Sequence, residues 1–282
     1  MSSPSTMDFT IGGIFFPLVT ICFIGNALGL WVAWRTGGPL TTSCRSYLII
    51  EHLLRILICI VFYYEIFCIF NKAACLGMPG CSPIFYFLNV LFMGLGATFN
   101  HSSALARFLL SVNRFLIIKY GENSFLNLDS YVLFQILIIV ILPMPGIGLI
   151  QFLSASDKIF YNPNAYALVT SGNELSLLLY IYEGILVVLI VCSLPLDVFT
   201  YRLIRKNTKN QQNKRFNYAQ RRLTIMVLLS HIWTCFLILM PGFFIVFGKK
   251  IFGPSSSVLL IFAIKNVLPT GFIAANGLEI PK

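Results

Sequence analysis

The 282-residue chain is 57% hydrophobic and only 11% charged, with a formal net charge of +10 and a mean hydropathy of +0.84. A water-soluble domain carries about 25% charged residues, so this composition excludes an ordinary soluble enzyme or binding module. The basic excess sorts by loop along the chain and forms no nucleic-acid footprint, so no nucleic-acid partner is expected.

Seven apolar stretches follow one another at 11–34, 46–70, 84–118, 131–153, 175–201, 223–247 and 255–277. About 20 apolar residues at 1.5 Å rise cross a hydrocarbon core of about 30 Å. The stretches 11–34, 131–153 and 223–247 hold no Asp, Glu, Lys or Arg, whereas a core helix of a soluble domain keeps one polar face. Backbone in lipid must satisfy its own hydrogen bonds, so helices or a closed barrel are the choices. The runs are too long for strands and lack apolar/polar alternation, which selects helices. The prediction is an all-α membrane protein, residues 1–282 forming a single seven-helix transmembrane domain.

Residues 1–10 carry no basic segment, and the first apolar run exceeds the 7–15 residues of a signal peptide, so span one is expected to be retained. Lys and Arg then fall unevenly. Twelve lie in the loops after spans one, three and five and at the C-terminus, against Lys72, Lys158, Lys249 and Lys250 opposite. Short basic loops mark the cytoplasmic face, so the N-terminus is expected outside and the C-terminus inside, as an odd number of spans requires. Cys75 and Cys81 fall in the first outer loop, an oxidising setting where a disulfide between them is permitted but not demanded by the spacing. The longest loops are the Asn-, Tyr- and Ser-rich outer segment 154–174 and the basic inner segment 202–222. Pro143, Pro145, Pro195, Pro241 and Pro269 lie mid-span and read as packing kinks.

Ionisable groups inside spans are informative, because each costs about 2.5–3.5 kcal/mol at the centre of an inserted helix. Glu51 and Arg107 fall at similar depth and form a candidate intramembrane pair; Glu51 and Arg55 stand at i, i+4. Glu65, Tyr86, Glu183 and Lys265, nearer the outer half, are candidate walls of a small-molecule cavity with aromatic sides, or else a Lys–Glu pair holding two helices. At the inner mouth stand Asn113 and Arg114. Asp197 is the only acid in the inner half of spans five and six and is a candidate restraint on Arg114. With Arg202, Arg205, Lys206, Arg221 and Arg222 they form the candidate signalling face. No hydrolase, metalloprotease or phosphate-loop signature occurs, and His52, His101 and His231 stand on separate spans. No enzyme activity, metal or cofactor is expected.

Seven helices, Gly25-Asn26 in span one, Asn113-Arg114 closing span three and a basic third inner loop resemble the G-protein-coupled receptors. The segment Ser111-Val112-Asn113-Arg114-Phe115, the Phe/Ile/Leu-rich helices and the short tails narrow the resemblance to nematode serpentine chemoreceptors, which write Asn-Arg where rhodopsin-like receptors write Asp-Arg-Tyr. The resemblance implies a small-molecule ligand, a heterotrimeric G protein, membrane lipid as the surrounding partner and a plasma-membrane location, in sensory cilia for the nematode families. Departures from the rhodopsin-like pattern are plain. Arg114 has no neighbouring acid, Trp233 and Pro241 stand eight apart, Leu268 precedes Pro269, and no cysteine lies in the second outer loop. The chain ends about five residues after span seven, so no eighth helix is expected. A rival reading is a transporter or ligand-gated channel using Glu51, Arg107, Glu65 and Lys265 as a polar path. Absence of inverted repeats weighs against it.

Overall fold

Five helices and one hairpin make up the described part of the computed structural model, which covers residues 6–35, 42–71, 75, 83–120, 131–143, 159–162, 167–170, 173–207, 221 and 225. In chain order these are α1 (Thr6–Arg35), α2 (Thr42–Phe70), α3 (Pro83–Tyr120), α4 (Val132–Ile141), β1 (Ile159–Asn162), β2 (Ala167–Thr170) and α5 (Asn173–Asn207). The first, second, third and fifth predicted spans lie within α1, α2, α3 and α5, and the fourth begins in α4. Spans six and seven, with Lys265, lie outside the described residues. Four stretches are long and apolar enough to cross a membrane: Asp8–Arg35, Thr42–Phe70, Pro83–Tyr120 and Val187–Lys206.

The surface fits lipid better than water. Leu133 and Phe134 on α4 and Leu142 just past its end are each more than 60% exposed, and Val188 and Val191 are exposed on α5. In water such a belt is an aggregation liability; against acyl chains it has no such cost. Trp31 and Trp34 are exposed near the end of α1, at the end of the bundle where Arg35, Arg45, Lys119, Arg202 and Lys206 gather. Exposed tryptophans at a helix end are what a membrane interface favours. We call this the basic end and its opposite the disulfide end.

α1 and α2 pack closely because two glycines admit bulky rings. A Cβ on Gly12 would run into the Phe70 ring, and one on Gly29 would stand 2.5 Å from the His52 ring. Small residues that let helices approach replace the hydrophobic drive that lipid does not supply. Asn26, wholly buried on α1, donates to the Cys22 carbonyl at 2.8 Å, and its amide oxygen lies 3.1 Å from His52 Nδ1. Tyr63 donates to the Thr20 hydroxyl at 2.9 Å. At the basic end Arg45 donates to the carbonyls of Ala33 and Trp34, joining the start of α2 to the end of α1.

α2 and α3 run antiparallel, and polar contacts set their register along the whole interface. Asn113 donates to Ser43 Oγ at the basic end, Arg107 meets Glu51 midway, and Tyr64 donates to Asn89 Oδ1 at 2.7 Å near the disulfide end. α5 packs along α3, and α4 against α3 and α2.

The segment 154–174, expected to be an outer loop, differs from that expectation. It carries an antiparallel hairpin, Ile159 opposite Thr170 and Asn162 opposite Ala167, and β1 lies against α3. Ile159, Phe160, Tyr161, Val169 and Thr170 are strand-favouring types, and Pro163 and Asn164 between the strands are turn formers. Each strand is only four residues long, too short a run to stand out in an Asn- and Tyr-rich segment.

Candidate functional site

Among the described residues, buried polar side chains of α2, α3 and α5 gather midway along the bundle and toward each end. Midway, Glu51 bridges Arg55 one turn along α2, and Arg107 Nε of α3 lies 3.4 Å from Glu51 Oε1. Arg107 also donates to the Ser103 carbonyl at 3.4 Å. One carboxylate thus faces two guanidinium groups at a depth where lipid would surround an exposed charge. Such groups turn inward and pair, because the hydrocarbon alternative is costly. Periodicity carries the same stripe onward: Glu51, Arg55, Ile58 and Glu65 recur at i+4, i+3 and i+7 on α2, with Glu65 about 21 Å from Glu51 along the axis at 1.5 Å per residue.

At the basic end Asn113, Arg114 and Asp197 are wholly buried. Arg114 Nη1 of α3 stands 3.9 Å from Asp197 Oδ1 of α5. The neighbouring Asn113 turns to α2 and donates to Ser43 Oγ. Successive residues of α3 therefore reach two different helices, because they are 100° apart on its surface. This arrangement supplies what the missing acid beside Arg114 would otherwise supply: a carboxylate, but on another helix. The pair is consequently sensitive to the separation of α3 and α5 in a way that an intrahelical pair is not.

Of the other candidate signalling residues, Arg202, Arg205 and Lys206 are exposed on the last turns of α5. Arg221 is exposed with its guanidinium 5.9 Å from the centre of the Tyr201 ring. Arg222 lies outside the described residues.

Toward the disulfide end, Tyr64 donates to Asn89, whose amide donates to the Cys75 carbonyl at 2.9 Å. Tyr64 also stacks on Phe92 with centroids 4.3 Å apart. Of the four cavity candidates, Glu65 on α2 and Tyr86 on α3 are half-buried, Tyr86 packing beside Val90 and Met93. Glu183 lies on α5, but its side chain and Lys265 fall outside the described residues. Asn89, wholly buried, was not among the candidates. Its signal was a lone amide in an apolar run, which a reading weighted toward ionisable groups passes over.

The cysteine expectation is corrected. Cys75 is bonded to Cys68, not to Cys81, with Cα atoms 5.5 Å apart. Cys68 falls in the last turn of α2, and Cys75, whose N–H donates to the Asn71 carbonyl at 3.3 Å, brings its backbone within the distance a disulfide requires. Treating Cys68 as an apolar filler inside a span hid this. Cys81 lies outside the described residues.

Among the described residues no group of three His, Cys, Asp or Glu side chains could hold a metal ion. The residues present make charge pairs and amide contacts between helices, an arrangement suited to a conformational switch.

Residues 98–270, more than half of the chain, match the sequence model of a family described as serpentine type 7TM GPCR chemoreceptor Srv. The matched stretch opens within α3 ahead of Arg107 and Asn113-Arg114, takes in α4, the hairpin and α5 with Asp197, and ends in the seventh predicted span. No curated protein matches the chain.

Proposed function

The chain belongs to the Srv family of serpentine seven-transmembrane chemoreceptors, multi-pass membrane proteins that are receptors rather than enzymes, and on that premise we propose that it senses a small environmental molecule and signals through a heterotrimeric G protein. The ligand enters between the helices toward the disulfide end, where Glu65, Tyr86, Glu183 and Lys265 are the proposed contacts. The basic end faces the cytosol of a plasma membrane, in sensory cilia by family likeness. There the buried Asn113, Arg114 and Asp197 underlie a signalling face that carries Arg202, Arg205, Lys206, Arg221 and Arg222.

The observation that supports this reading is the buried Arg114–Asp197 pair between α3 and α5. A receptor needs an element with two arrangements that a ligand favours unequally. An interhelical charge pair closed off from solvent is such an element, since separating the helices trades the pair for hydration and opens a basic inner cavity.

The test is surface expression in a heterologous cell with a second-messenger readout against a panel of volatile and water-soluble metabolites, beside Arg114→Ala. The expected result is a response to at least one compound that Arg114→Ala abolishes at equal surface density. Ligand-dependent current or flux in vesicles lacking any G protein would instead identify a channel or transporter and overturn the reading.

A further inference from the structure

We propose that the groove between the basic ends of α3 and α5 binds one anionic phospholipid of the leaflet at that end. The groove encloses about 380 Å³ and is lined by Phe115 and Lys119 of α3 and by Phe199, Arg202, Leu203 and Lys206 of α5. The two α3 residues are one turn apart, and the four α5 residues recur at i+3, i+4 and i+7, so each helix contributes a single stripe.

Three observations decide the occupant. The first is direction. Asp197, Thr200 and Ile204, all buried, occupy the opposite side of α5 from this stripe at 100° per residue, so the groove opens away from the bundle interior. Phe199 on its wall is 52% exposed. The second is depth. The α5 portion lies within the apolar membrane-length stretch Val187–Lys206, where an acyl chain reaches and a cytosolic peptide does not. The third is polarity in sequence. The apolar walls Phe115 and Phe199 come first along each helix and the cations Lys119, Arg202 and Lys206 follow toward the basic end. Phe199 and Lys206 stand about 10 Å apart along the axis at 1.5 Å per residue.

The Lys119 ammonium is held at the rim, 5.4 Å from the Phe115 ring and 4.9 Å from the Tyr120 ring. Among the described residues no acid lines the groove. An apolar floor leading to three cations matches an amphiphile with a phosphate-bearing head; a free inorganic anion would leave the aromatic walls unused. Basic pockets between helices on this face are known to suit anionic lipid heads. The inference depends on membrane insertion alone and stands whether or not the chemosensory reading does. Arg205 falls off the stripe and remains with the signalling surface.

The experiment places the full chain in nanodiscs of phosphatidylcholine doped with photo-crosslinkable phosphatidylserine or, separately, photo-crosslinkable phosphatidylcholine, and maps adducts by mass spectrometry. Each cation near an anionic head favours it by about fivefold. The expected result is adducts on the 115–119 and 199–206 peptides, with phosphatidylserine ahead by about tenfold or more. The triple variant Lys119→Gln, Arg202→Gln, Lys206→Gln brings the two lipids close to parity, and Arg35→Gln, which removes a charge at the same end but outside the groove, leaves the preference intact. All three groove cations are exposed, so an unchanged melting temperature verifies that the variant is folded. Equal labelling by both lipids in the parent chain, or adducts confined to other helices, overturns the proposal. So does loss of the adducts on adding inorganic phosphate, which would mark a soluble-anion site.

Discussion

Arg114 Nη1 lies 3.9 Å from Asp197 Oδ1 with both side chains sealed from solvent, an interhelical charge pair that ties α3 to α5 at the basic end. Removing one partner of a buried pair is far costlier than the pair is favourable, because the remaining charge is stranded. Asp197→Asn is therefore expected to loosen the closed arrangement and raise signalling without ligand several-fold, read as basal second messenger per receptor at the surface. Melting in detergent should show a loss of about 3–5 kcal/mol. Unchanged basal signalling at normal surface density would remove Asp197 as a restraint.

Glu51 stands between Arg55 and Arg107, so neutralising it leaves two guanidinium groups facing each other in the interior. Glu51→Gln is predicted to destabilise by about 3–5 kcal/mol. Glu51→Gln with Arg107→Gln together should cost less than the sum of the two, by a coupling of about 0.5–3 kcal/mol. A thermal-shift cycle on the four proteins measures this, and strict additivity would show that the contact carries no energy.

The Cys68–Cys75 bond closes a short loop, the two residues being seven apart. Loop-closure entropy for so small a ring amounts to about 2–3 kcal/mol. Cys68→Ser and Cys75→Ser are expected to lower stability equally, and reductant should lower the parent to their level. Peptide mapping without reduction should recover a Cys68–Cys75 linkage, and a Cys75–Cys81 peptide in its place would contradict the fold at this end.

Gly29 and Gly13 provide a matched contrast within one helix. A methyl on Gly29 meets the His52 ring, whereas one on Gly13 meets nothing within 4 Å. Gly29→Ala should cost about 1–3 kcal/mol through overpacking against α2. Gly13→Ala should be neutral or stabilising by up to about 1 kcal/mol, as alanine is the better helix former. Equal melting shifts for the two would mean that α1 and α2 do not approach closely at His52.

Much of this architecture was legible in the chain itself, and the reason is the solvent. Lipid demands that each crossing be helical and about 20 residues long, so α1, α2, α3 and α5 coincide closely with apolar runs of the sequence. Depth was legible too: Glu51 and Arg107 were placed together by counting 1.5 Å steps from the ends of their spans, and they meet in the structure. The Asn113-Arg114 motif pointed to the receptor families, and the match over 98–270 agrees with it.

What the chain alone left open was everything that depends on which way a helix faces and how its ends bend. Periodicity assigns residues to a stripe but does not say which neighbour that stripe meets, so Asn113 turning to Ser43 while Arg114 turns to Asp197 emerged only in three dimensions. The Cys68–Cys75 bond depended on two backbones lying 5.5 Å apart between Cα atoms, a closeness that no spacing rule contains. Asn89, the hairpin on α3 and the lipid-facing groove between α3 and α5 belong to the same class. Bilayer physics acts on every residue of a span and so leaves its mark along the sequence, whereas a helix's rotation is set by a few contacts between segments far apart in the chain.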